Sequence, residues 1–152
     1  MRRILLLATA CAAVLVFSSC ASFQHSWDTG NVETVAWLIN NGQPAKLAAM
    51  SATPFLVDGE VVALKGDVAG FWEGIIKAGY KVESPSLGEA APVTADSYKQ
   101  FADTMEVRSF FAEYVKKDTR ILELRTGSNG RILLIIRDSL FSKTIHGFKG
   151  PF

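Results

Sequence analysis

Few side chains in this chain are equipped for covalent or metal chemistry. It holds two cysteines, Cys11 and Cys20, and two histidines, His25 and His146. Cys11 lies inside an apolar run, and Cys20 stands at its end, directly after Ser18-Ser19. His146, in Thr144-Ile145-His146-Gly147, has no acidic or histidine neighbour at ligand spacing, and two histidines are too few for an imidazole cage. We therefore expect no metal site and no cofactor. His25 reads as solvated and His146 as a surface or tail residue. Ser51, Ser109 and Ser139 lack a glycine-rich elbow or a paired histidine, which leaves no serine nucleophile. Gly127-Ser128-Asn129-Gly130 joins two strand patterns with no helix after it, so it is a hairpin turn and not a phosphate loop. What remains is carboxylate and phenol chemistry, with Asp103 and Glu106 near Tyr98 and Tyr114.

These residues must be held by elements that the hydrophobic pattern outlines. Val32, Val35, Ala36 and Ile39 form one apolar helix face, with Asp28, Thr29 or Asn31 as its cap and Asn40-Asn41-Gly42 as its stop. Trp37 lies off that stripe and is expected to pack on a second layer, with a pocket rim or a partner contact as the alternatives. Pro44 opens a short helix through Met50. Asp58-Gly59 between two apolar runs predicts a tight hairpin with Val57 opposite Glu60. Residues Asp67 to Gly79 carry a helical stripe, and Gly70 and Gly74 within it suggest close approach of another backbone. Tyr80 to Glu83 reads as a short strand and Ser84 to Pro92 as a loop. Thr94 can cap a brief helix containing Tyr98, Phe101 and Ala102. Glu106 to Lys116 reads as a long strand, bulged where Phe110-Phe111 breaks the alternation. Glu106, Glu113 and Glu123 then fall on the solvent faces of strands. Thr119 to Thr126 is a further strand. Arg131 to Arg137 is aliphatic enough for a central strand covered on both faces, and Thr144 to His146 can add a last one. Lys116, Lys117, Arg120 and Arg125 read as a solvated edge.

The beginning of the chain has a separate logic. Arg2-Arg3 precede roughly thirteen mostly apolar residues, too few for a membrane span of roughly 20, and small residues precede Cys20. This arrangement resembles a bacterial lipoprotein signal peptide, although Phe17 stands where an aliphatic residue is usual. The resemblance implies cleavage after residue 19 and acylation of Cys20, with Ala21 favouring the outer membrane. An ordinary secretory cut near Ala21 and an uncleaved anchor are the alternatives. The chain then divides into a leader at 1–19, a lipidated cysteine with a short tether at 20–29, and a single domain at 30–152. The mature part has 133 of the 152 residues, long enough for a real core. Losing Arg2 and Arg3 lowers the basic count from 16 to 14 against 15 acids, and no basic cluster suits a nucleic acid. With Cys11 removed and Cys20 acylated, neither a disulfide nor thiol catalysis is open to the domain. Phe23 and Trp27 in the tether would rest at the membrane interface or pack on the domain.

The element order also carries a resemblance. Its residues are the helix Val32 to Asn41, Ala45-Lys46-Leu47-Ala48-Ala49-Met50 leading into Pro54 to Gly59, the helix Asp67 to Gly79 with Phe71-Trp72, and the turn Gly127 to Gly130. Together they resemble the nuclear-transport-factor-2-like fold, which includes ketosteroid-isomerase-like and polyketide-cyclase-like proteins. The resemblance implies an α+β domain in which N-terminal helices pack on a curved antiparallel sheet, making a cone with an apolar pocket. Phe55, Phe71, Trp72, Phe101, Phe111 and Leu124 are the expected pocket residues. An isomerase of this kind would use a carboxyl group desolvated in the pocket, with Asp103 the nearest candidate. The tyrosine near the first helix and the histidine–aspartate pair of the enzymes are absent. The expected function is therefore a membrane-anchored, extracytoplasmic lipoprotein that binds a small apolar ligand or an envelope protein without catalysis. An isomerase-like enzyme and a structural envelope-assembly factor are the alternatives. Related folds pair through the sheet face, which would place Arg108, Phe110 and Leu122 in a homodimer.

Overall fold

The computed structural model describes residues 22–127, 130–139 and 142–152. Cys20 and the leader lie outside the described residues. The architecture is α+β. A first helix, α1, covers residues 22–40, followed by α2 (Pro44–Met50), β1 (Ser51–Val57), β2 (Glu60–Val62) and α3 (Lys65–Lys77). Then come β3 (Ser86–Pro92), a 3₁₀ turn (Ser97–Gln100), α4 (Met105–Tyr114), β4 (Thr119–Thr126), β5 (Gly130–Ser139) and β6 (Ser142–Lys149). The six strands form one open sheet in the order β2-β1-β6-β5-β4-β3. All neighbours are antiparallel except β1 and β6.

Local chemistry accounts for several boundaries. The hairpin turns at Asp58 and Gly59, both at positive φ, and pairs Val57 with Glu60 as expected. Helices α1 and α3 stop alike. Gly42 and Gly79 take positive φ, and each helix end closes with a five-residue and a three-residue backbone bond: Gln43 N–H to Leu38 O with Gly42 N–H to Ile39 O, and Tyr80 N–H to Ile75 O with Gly79 N–H to Ile76 O.

The sheet is covered on both sides. On one side Val32, Val35, Ala36 and Ile39 of α1 pack with Leu47, Phe55, Val68, Trp72, Leu122, Leu124, Leu134 and Phe148. On the other, the 3₁₀ turn and α4 bring Tyr98, Phe101, Val107, Phe110 and Phe111 over Leu56, Ile121 and Ile135. Alternation along β5 serves both layers, so its unbroken aliphatic run marks a central strand as expected. Burying each large aliphatic side chain of this kind contributes about 1.5–3 kcal/mol.

Several expectations are corrected. Residues Glu106 to Lys116 are not a strand. Val107, Phe110, Phe111 and Val115 are spaced as one helix face, and Thr104 Oγ1 caps α4 by accepting from the Val107 amide at 3.3 Å. The double phenylalanine read as a bulge is half of that face. Ser86 to Pro92, expected as loop, is an edge strand on β4, with a register shift between Leu87 and Ala90. Tyr80 to Glu83 joins no strand ladder. Instead the Asn40 side chain bonds both the amide and the carbonyl of Val82 at 2.8 Å, and the Glu83 amide donates to Thr126 Oγ1. Residues 22–29, expected as a tether, continue α1. Gly70 and Gly74 meet no backbone, because a Cβ at either would have open space around it. Trp37 is 55% exposed, with Lys46 Nζ 5.9 Å from its ring, and so packs on no second layer.

Candidate functional site

The most chemically distinctive place is a polar recess under the first turns of α1. Gln24, Trp27, Asp28 and Asn31 are spaced three and four apart, so they share one side of the helix. Asp28 and Asn31 stand four residues before Val32 and Val35, which makes them a polar continuation of the apolar stripe. The first residues of β4, Thr119 and Arg120, lie beneath them, with Pro92 of β3, the Lys117-Asp118 turn and Asp138 of β5 completing a cavity of about 280 Å³.

Burial gives this recess its character. Asp28 and Asn31 are each 2% exposed and Thr119 is fully buried. Asp28 Oδ2 lies 3.0 Å from Arg120 Nε, and Asp28 Oδ1 accepts from Gln24 Nε2 at 3.1 Å. Arg120 Nη2 also donates to the Ala90 carbonyl at 3.3 Å. The short Arg120–Asp28 contact is charge attraction and not an aligned hydrogen bond, so the Nε–H has no acceptor among the described residues. Asn31 Oδ1 and Thr119 Oγ1 likewise have no hydrogen-bond partner there. A buried polar atom left without a partner costs about 1–3 kcal/mol.

Beside the recess, Arg137 Nε donates to Asp118 Oδ2 at 2.8 Å, and that hydrogen bond holds the Asp118 carboxyl below its ordinary range. His146 is buried, contrary to the expected surface position, and neither ring nitrogen has a partner among the described residues. Burial lowers its pKa, as do the Arg137 and Lys116 charges, and Asp118 opposes the shift.

The six expected pocket residues divide between the two sides of the sheet. Phe55, Phe71 and Trp72 join Phe148 in one cluster, with ring centroids 4.9–5.9 Å apart, and Trp72 Nε1 donates to Ser51 Oγ at 2.9 Å. Leu124 belongs to the same core. Phe101 and Phe111 pack together on the opposite side at 5.7 Å. The two groups therefore do not converge on one cavity, and Phe55, Trp72 and Leu124 are fully buried by protein. Phe111, with Tyr98, Arg108 and Val115, borders a recess of about 480 Å³ beside α4. Asp103 and Glu106 are both exposed, so neither is a desolvated base. Of the residues considered for pairing between copies, Arg108 is exposed but Phe110 and Leu122 are buried in the two cores.

Another bowl, of about 470 Å³, opens on the α4 side, floored by Ile121 and Leu133. Two of its charged residues, Glu123 and Lys149, are already engaged. Arg125 Nε pairs with Glu123 Oε1 at 2.7 Å, and Lys149 Nζ donates to the carbonyls of Gln100 and Phe101 at 2.7 and 2.8 Å.

Sequence reasoning missed this site because each member had an ordinary alternative. Asp28 and Asn31 were expected as helix caps and Arg120 as a solvated edge residue. The signal was the run of polar residues at helical spacing directly before an apolar stripe, which becomes informative only if the helix starts before Asp28. No family model, no curated protein and no solved structure matches this chain.

Proposed function

We propose that this chain is a lipid-anchored, extracytoplasmic domain of nuclear-transport-factor-2-like architecture that binds a small ligand in the Asp28–Arg120 recess without chemistry. The leader ending at Ser18-Ser19-Cys20 supports the anchor, with the outer membrane favoured. Three helices on one side of the sheet and the order helix, helix, hairpin, helix, strands support the architecture. The 3₁₀ turn and α4, inserted between β3 and β4, would be an addition to it. The exposure of Asp103 and Glu106 counts against the isomerase-like alternative.

One observation carries the binding assignment: a recess of about 280 Å³ lined by the Asp28–Arg120 ion pair and by the polar residues Asn31 and Thr119. The lining favours a polar ligand over the apolar one expected from the sequence. Replacing Cys20 with alanine should abolish incorporation of labelled palmitate and move the protein out of the membrane fraction. Unlabelled wild-type protein, with Cys20 intact, would refute the anchor.

A further inference from the structure

Apart from the Asp28–Arg120 recess, we infer that the hollow beside α4 is a second binding site, and that it takes a carboxylate carried on a short aliphatic chain. The hollow measures about 480 Å³, within the ~300–1,000 Å³ typical of ligand pockets. Its apolar lining comes from two segments. Ala112 of α4 and Val115 just past its end supply one part, and Val93 and Ala95, ahead of the 3₁₀ turn, supply the other. Ala95 and Ala112 are exposed and Val93 is half-buried, so a guest can reach them. The nearly buried Phe111 and Tyr98 complete that lining.

Charge selects the guest. Every charged residue bordering the hollow is a cation: Arg108, Lys116 and Lys117. None of the three is in an ion pair among the described residues. Arg108 lies 5.7 Å from the Tyr98 ring, and Lys116 Nζ donates to the neutral Glu113 carbonyl at 3.0 Å. The acids on adjoining segments have partners of their own. Asp96 pairs with Lys99 at 2.7 Å, Asp118 with Arg137 at 2.8 Å, and Glu113 sits beside the Tyr114 hydroxyl. Even with Glu113 counted, the border carries a net positive charge. An alcohol would leave these cations unmatched, an alkylammonium would be repelled, and acetate would leave the apolar lining in water. A carboxylate with an aliphatic tail matches both the charge and the lining.

Methyl NMR titration of the full-length protein in phosphatidylcholine nanodiscs tests this, following Ala95, Ala112 and Val115. Hexanoate and octanoate are the probes, with octanol, octylammonium and acetate as controls. We expect octanoate to bind with Kd of about 1 mM or tighter. Each buried methylene should tighten binding about fourfold, which places octanoate roughly tenfold ahead of hexanoate. Octanol and octylammonium should bind about tenfold more weakly than octanoate, since each lacks the charge-assisted bonds. Arg108→Gln combined with Lys117→Gln should erase the advantage of octanoate over octanol. Ala112→Glu keeps a good helix former at an exposed position, and should abolish octanoate binding by setting an acid in the hollow. Lys117 also borders the Asp28–Arg120 recess and Ala112 does not, so this variant separates the two sites. Circular dichroism checks that each variant folds. Octanol binding as tightly as octanoate, or acetate as tightly as either, would overturn the inference. So would octanoate binding that Ala112→Glu leaves unchanged, or no methyl response to any probe. Methyl shifts on mixing phosphatidylglycerol into the discs, with no response to octanoate, would give the hollow to the lipid surface and overturn it as well.

Discussion

The two halves of α1 face the same side of the same sheet and do opposite things. From Val32 to Ile39 the inward positions are aliphatic and meet Leu122, Leu124 and Leu134 in a dry contact. One turn before Val32 and Val35, Asp28 and Asn31 are buried nearly as deeply, yet they carry a carboxylate held by Arg120 and Gln24 and an amide whose Oδ1 has no partner among the described residues. Burial alone therefore does not distinguish core from site in this protein. What distinguishes them is whether every polar atom removed from water has been matched.

The first way to break the comparison is to damage the dry half. Trp72→Ala removes a fully buried indole and its bond to Ser51, and should cost about 3–5 kcal/mol in urea unfolding. A loss below about 1 kcal/mol would mean that the aromatic cluster is not the centre of the fold. The polar half should respond differently. Asp28→Ala leaves Arg120 without its counter-charge, and because Arg120 keeps a quarter of its side-chain exposure the loss should be about 2–3 kcal/mol. The double change Asp28→Leu with Arg120→Met should recover most of that stability, since hydrophobic replacement of a buried pair is often neutral or better. It should not recover ligand binding. If the double variant is as unstable as the single, the pair is structural and the contrast between the two halves disappears.

The smallest expected effect concerns acid. His146 has a folded-state pKa below its ordinary value of 6.5, because burial disfavours the charged ring. Well above pH 6.5, from about pH 7.5 upward, the ring is neutral in both states and contributes no pH dependence. As the pH falls below that value, the unfolded chain binds the proton first, so stability declines until the folded pKa is passed. His146→Gln should therefore flatten the stability profile as the pH falls below about 7. An equally steep profile in the variant would assign the acid sensitivity to other groups.

Much of the fold was legible because local and global signals agreed. Asp58-Gly59 fixed both the turn and its register, Gly42 and Gly79 marked two helix ends, and the aliphatic run of β5 announced a central strand. The failures came where one pattern supported two readings. Phe110-Phe111 breaks a strand's alternation and equally fills a helix face, and the Thr104 cap was the overlooked arbiter. In β3, Gly88 and two prolines near the strand look like loop composition. A Cβ at Gly88 would strike the Glu123 and Arg125 side chains, so glycine there makes room for an ion pair crossing the strand. The recess was illegible for a different reason. An aspartate near a helix start reads as a cap, and only the contact with Arg120, ninety-two positions further on, shows otherwise.

The margins of the sheet have their own consequence. On one flank β2 is three residues long, and on the other β3 is kinked by its register shift and ends in Pro92. Neither offers a neighbouring molecule a long, straight row of free amides to extend. Copies crowded side by side would thus resist fusing into continuous ribbons, and the protein can be present at high local density without stacking.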